Sequence, residues 1–130
     1  MKLTTQVRDL PWTGAGPAAR VVYEQAKKAG HERHGDWFKL GLVLYDGGQH
    51  TEALDAFQTA AKLAESKAPA LVWQGHMLDL LGRREDALRA YREALAQWPA
   101  GLVQRHDQWK LEIDRAWVEE RLQKPFAGRF

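Results

Sequence analysis

Apolar residues recur along this chain three and four positions apart, which is the spacing of one face of an α-helix. In one segment, for example, Ala19, Val22, Tyr23 and Ala26 share a face, and Gly30 follows as a stop. Stripes of this kind predict helices over residues 2–10, 17–29, 36–45, 51–63, 69–82, 84–98 and 102–123. No segment shows a convincing two-residue alternation, so the sequence predicts an all-α protein without strands.

Two of the predicted helix pairs repeat each other at a fixed distance along the sequence. The matched positions, each 34 residues apart, are Gly41 and Gly75, Gly48 and Gly82, Ala53 and Ala87, Phe57 and Tyr91, and Ala60 and Ala94. A period of this length indicates a stacked array of helical hairpins, because one hairpin cannot bury its apolar face alone. Arrays of this kind mostly present a surface to a partner.

The repeated residues resemble the tetratricopeptide repeat. Those that carry the resemblance are Trp37, Leu40, Gly41, Leu44, Ala53 and Phe57 in the first copy, and Leu71, Gln74, Gly75, Leu78, Ala87 and Tyr91 in the second. Pro99 stands where the family closes a repeat, whereas the first copy has Glu65 at that place. Gly41 and Gly75 remove a side chain where the two helices of a hairpin cross closely.

The resemblance implies a helical-hairpin repeat array, that is, a TPR-like solenoid with a C-terminal capping helix. A single domain is expected over residues 1–130. Its parts are a degenerate N-terminal repeat over 1–33, repeats over 34–67 and 68–101, a capping helix over 102–123 and a short tail over 124–130.

In this family the first helix of each hairpin lines a concave groove that holds a peptide or helix. By resemblance, the groove face here consists of Phe38, Leu42, Tyr45, Val72, His76, Asp79, His106 and Lys110. Phe38, Leu42 and Tyr45 also form a second apolar stripe on their helix, which something must cover. Either a partner segment covers it, or the N-terminal segment or the last helix of the chain does.

The resemblance implies a protein–protein interaction module or scaffold rather than an enzyme. Some members bind acidic C-terminal tails through a clamp of Lys, Asn and Arg, but Phe38 and Leu42 at the corresponding places favour an apolar or aromatic ligand. The alternative is a self-associating assembly module. The predicted last helix carries a second apolar stripe for such a contact, formed by Leu111, Val118 and Leu122.

Composition adds few chemical possibilities. The net charge is only +2. Cysteine is absent, so disulfides and thiolate metal sites are excluded. No basic run with interleaved aromatic residues indicates nucleic acid, and no long apolar run indicates a membrane. His31 and His34 lack a third ligand, and no nucleophile accompanies His76 and Asp79. We therefore expect a cytoplasmic protein with no cofactor, no metal and no catalytic residues.

Overall fold

The structure, a computed structural model, describes residues 7–126 of the chain. By its internal packing the chain divides into two units, Met1–Glu65 and Ser66–Phe130. Of the predicted helix over 2–10, residues 7–9 are helical, with Val7 and Leu10 buried, whereas Leu3 lies outside the described residues. Residues 127–130 of the predicted tail also lie outside them.

The first unit contains a helical hairpin and a helix that precedes it. Helix α1 spans Gly16–Ala29, α2 spans His34–Asp46 and α3 spans His50–Leu63. Helices α2 and α3 pack against each other across a short turn, and α1 packs against both. Gly30 ends α1 in the left-handed conformation, as its sequence position predicts, and its N–H donates to Ala26 O and Lys27 O.

The second unit repeats the hairpin and then adds a different ending. Helix α4 spans Ala68–Leu80 and packs against α5, which spans Arg84–Ala96. Strand β1 (Gln104–His106), a 3-10 turn (Asp107–Trp109) and strand β2 (Leu111–Ile113) follow. Helix α6 spans Arg115–Arg121 and packs against α5 and β2.

The prediction of one helix over 102–123, with no strands, was wrong. Strands β1 and β2 pair antiparallel in a register that places Gln104 opposite Ile113. Lys110 takes a left-handed conformation between them, and Asp114 begins α6 by accepting a hydrogen bond from Trp117 N at 2.8 Å. A straight helix with two apolar stripes buries only one against a single neighbour, whereas the hairpin and short helix bury both Ile113 and Val118.

In both helical hairpins, the two helices pack together at the same pair of repeat positions, a glycine on the first helix and an aromatic residue on the second. A Cβ atom added at Gly41 would lie 2.5 Å from the Phe57 ring, and one added at Gly75 would lie 2.5 Å from the Tyr91 ring. Both rings are fully buried. The repeated glycine therefore makes room for the repeated aromatic side chain, and the predicted array of helical hairpins with a C-terminal helix is confirmed.

Candidate functional site

The predicted groove residues of the first unit differ in accessibility. Phe38 on α2 is half-buried, and its ring lies edge-on to Phe57 with the centroids 5.7 Å apart. Leu42 and Tyr45, one and two turns further along α2, are both buried. The Tyr45 ring lies 6.1 Å from the His50 ring. Of the three residues, Phe38 is the least buried.

Asp79, a predicted groove residue of the second unit, belongs to a network that joins three helices. Its carboxylate, 4% exposed, accepts hydrogen bonds from Arg84 at 2.9 and 3.2 Å and from the Tyr91 hydroxyl at 3.1 Å. Arg84 also donates to the backbone oxygen of Arg121 at 2.6 Å. Burial and the neighbouring carboxylate of Asp79 raise the pKa of Tyr91 above its ordinary range. Arg84 therefore holds α4, α5 and α6 together.

The other groove residues of α4, Val72 and His76, are buried. Part of their helix face is covered within the second unit by aromatic rings from the segment after α5. The Trp73 ring lies edge-on to His106, with centroids 5.1 Å apart, and 5.7 Å from Trp109. The predicted groove residue His106 is thus part of the cover, and burial lowers its pKa to about 4, a shift that Asp107 partly opposes.

Phe126 covers the next part of the α4 face. Its ring meets His76 edge-on with centroids 5.6 Å apart, and lies 5.5 Å from the Trp117 ring. The Arg121 guanidinium is 4.5 Å from the centre of the Trp117 ring and 5.5 Å from that of Phe126. In the second unit, therefore, the chain's own C-terminal residues lie on the helix face that the family resemblance assigns to a ligand.

Lys110 and the predicted oligomer contact do not share one helix. Lys110 is exposed at the tip of the strand hairpin. Leu111 begins β2, Val118 is buried in α6, and Leu122 follows the last residue of that helix. The continuous helical stripe on which the self-association hypothesis depended is absent from this described part of the chain. Contact with a second copy stays a prediction.

His31 and His34, near the start of α2, differ in their surroundings. His31 Nε2 lies 2.7 Å from Asp36 Oδ2, and the backbone oxygen of His31 accepts a hydrogen bond from the Trp37 indole at 2.8 Å. His34 is exposed at the first position of α2. Across residues 7–126, no three His, Asp or Glu side chains come together as metal ligands would. Nor is any helix of that range long and apolar enough to cross a membrane.

Sequence reasoning missed the roles of Phe126, Trp73 and Arg121. The sequence places Phe126 in the predicted tail over 124–130, and no local pattern indicates that it contacts α4. One signal was present, however. Asp114 three positions before Trp117 is an N-cap residue in the middle of the predicted last helix, and it marks the place where α6 begins.

The fold and the repeated glycine–aromatic contact define the class of helical-repeat proteins built from short hairpins. A family model described as tetratricopeptide repeat matches residues 16–71 and again residues 38–102. These two matches cover most of the chain, which therefore belongs to the tetratricopeptide repeat family. A search of curated proteins found no match. Repeats of this family generally mediate protein–protein interactions and are typically not catalytic.

Proposed function

We propose that this chain is an interaction module without catalytic activity that binds a peptide or a helix of a partner protein. Each unit offers one binding face: Phe38 on α2 in the first unit, and the α4 face around His76 in the second. Leu42, Tyr45 and Val72 support these faces from below, since all three are buried. The ligand is a protein segment rather than nucleic acid or a membrane.

The observation that carries the proposal is the position of Phe38. It lies on the first helix of a hairpin, on the face that the family resemblance assigns to ligands, and its large apolar side chain is only partly buried. Aromatic side chains supply much of the binding energy in protein interfaces. The edge-on contact with Phe57 orients the Phe38 ring before a ligand arrives, which lowers the entropic cost of binding.

The charges on the two faces favour an apolar ligand. The carboxylate of Asp79 is already bound by Arg84 and Tyr91, so it is not available to a basic ligand without breaking those bonds. By the family resemblance, Phe38 and Leu42 on α2 stand where some members carry polar clamp residues. A segment with aromatic or aliphatic side chains at helical or extended spacing matches these surfaces.

A random-peptide display library tests the proposal. Peptides selected on the full chain are measured by fluorescence anisotropy against the wild type, Phe38→Ala and Val21→Ala. Val21 is the matched control, because it is an exposed apolar residue (55% exposed) on a different helix of the same unit. We expect Phe38→Ala to weaken binding at least about tenfold and Val21→Ala to leave it unchanged.

Thermal unfolding of each variant shows that both are folded at the assay temperature. Loss of the ring contact with Phe57 is expected to lower the stability of Phe38→Ala slightly, by about 1 kcal/mol. Selected peptides that bind Phe38→Ala as tightly as the wild type contradict the proposal. So does a library from which no peptide can be selected.

A further inference from the structure

The cover of the α4 face has two parts with different attachments. His106 and Trp109 belong to the strand hairpin, which paired backbones and the buried Ile113 hold in place. Phe126 lies beyond α6, in residues that form neither helix nor strand, and follows Pro125, which has no N–H to donate. Phe126 can therefore leave the face without breaking a helix or a strand pair.

The seat under Phe126, formed by His76, Trp117 and Arg121, has a definite chemistry. His76 offers its ring to an edge-on contact, and Trp117 supplies a second aromatic surface. The Arg121 guanidinium lies against both the Trp117 and the Phe126 rings. Guanidinium groups stack on aromatic faces, and aromatic rings prefer edge-on or offset contacts, so this seat fits an aromatic side chain.

Arg121 is fixed in the seat before any ligand arrives. Its guanidinium pairs with Glu120 at 2.9 Å, and Nε donates to the backbone oxygen of Trp117 at 3.2 Å. Its own backbone oxygen accepts the bond from Arg84. The seat is thus held by α4, α5 and α6 and not by Phe126, and it is expected to persist when Phe126 departs.

On the basis of the function proposed above, we propose that Phe126 is an internal ligand, and that a partner segment presenting an aromatic side chain replaces it on His76, Trp117 and Arg121. Phe126 lies on the helix face where the partner is expected, and it is the part of the cover that belongs to no helix or strand. The affinity for the partner is then reduced by the fraction of time that Phe126 occupies the seat.

A short peptide copied from the chain is the probe. It comprises residues 123–128 with both ends blocked, and a second peptide carries Phe126→Ala. Each is titrated into the full chain as wild type, Phe126→Ala and Lys124→Ala, with the Trp117 indole and the His76 amide followed by NMR. Lys124 is the matched control, because it lies two positions from Phe126 and its pairing with Glu120 at 3.6 Å is exposed to solvent and therefore weak.

We expect the phenylalanine peptide to bind the Phe126→Ala chain at least about tenfold more tightly than the wild type or Lys124→Ala, because a seat occupied about nine-tenths of the time is free for the rest. The alanine peptide is expected not to bind. A third peptide with Phe126→Leu keeps apolar volume on Trp117 but loses the edge-on ring. Its affinity for the Phe126→Ala chain is expected to lie between those of the phenylalanine and alanine peptides. Equal affinity for wild type and Phe126→Ala, or no binding to a folded Phe126→Ala chain, overturns the inference.

Library-selected peptides separate this inference from the proposed function. If library peptides lose affinity on Phe38→Ala but the peptide of residues 123–128 binds wild type and Phe126→Ala equally, the proposed function stands and the internal-ligand inference is wrong. If the peptide of residues 123–128 binds Phe126→Ala but no library peptide depends on Phe38, the seat exists and the proposed function on α2 is wrong.

Discussion

Replacing Gly75 with alanine tests the packing rule on which the repeat assignment depends. The added Cβ would lie 2.5 Å from one carbon of the Tyr91 ring and 2.7 Å from two others, about 1 Å closer than ordinary contact. The Tyr91 ring has little room to retreat, because it is fully buried and its hydroxyl donates to Asp79 at 3.1 Å. The clash must therefore be relieved by separating α4 from α5 or by distorting the ring.

Two effects of opposite sign determine how much Gly75→Ala changes the free energy of unfolding. Overpacking of a buried contact typically costs about 1–3 kcal/mol, and more where neighbours cannot move. Alanine favours the helix over glycine by about 1 kcal/mol. Because the neighbour of Gly75 is tethered, we expect the clash to dominate, and the free energy of unfolding to fall by about 2 kcal/mol.

Urea unfolding followed by far-UV circular dichroism measures the change, with Gly35→Ala as the control. Gly35 lies in the first turn of α2, where an added Cβ meets nothing within 4 Å, so alanine is expected to be neutral or to stabilise by up to about 1 kcal/mol. In a Tyr91→Leu background, Gly75→Ala is expected to cost less, because the ring is gone. A Gly75→Ala protein as stable as the wild type refutes the reasoning.

Two further predictions concern buried charge. Burial lowers the pKa of His106 from 6.5 to about 4, so the unfolded chain binds more protons than the folded chain between these pH values. The contribution of His106 to stability is therefore complete above pH 6.5, and it declines by roughly 1–3 kcal/mol as the pH drops toward 4. Urea titrations across this range should show a shallower decline for His106→Gln. Removing Arg84 leaves the buried Asp79 carboxylate with the Tyr91 hydroxyl as its donor, so Arg84→Ala is expected to lower the free energy of unfolding by about 3 kcal/mol, more than the double variant Arg84→Ala with Asp79→Asn does. The control Arg89→Ala removes an exposed ion pair and should change stability by less than about 0.5 kcal/mol. Equal costs for Arg84→Ala and Arg89→Ala contradict this prediction.

The helical hairpins could be predicted because their determinants are local or periodic. Gly41 and Gly75, with the aromatic residues that follow each by 16 positions, recur at one fixed spacing. A contact repeated in sequence implies a contact repeated in structure, and the rings of Phe57 and Tyr91 do contact the two glycines in the same way.

The ending of the chain could not be predicted in the same way. Strands of three residues are too short for a recognisable alternation, and their pairing depends on the partner strand rather than on local preference. The contact of Phe126 with His76 joins residues far apart in the sequence, and no repeat supports it. The same limit applies to Asp79, whose partners Arg84 and Tyr91 lie on the next helix and follow from no local pattern.

The most direct test of the central claim is to map a library-selected peptide on the full chain by amide chemical-shift changes. The account predicts that a peptide bound to the first unit changes the amides around Phe38 on α2. A peptide bound to the second unit changes those around His76 on α4, with release of Phe126 seen as a change at the Trp117 indole. Changes confined to α1, α3 and α5, with Phe38 and His76 unaffected, would contradict the claim that the first helix of each hairpin carries the binding face.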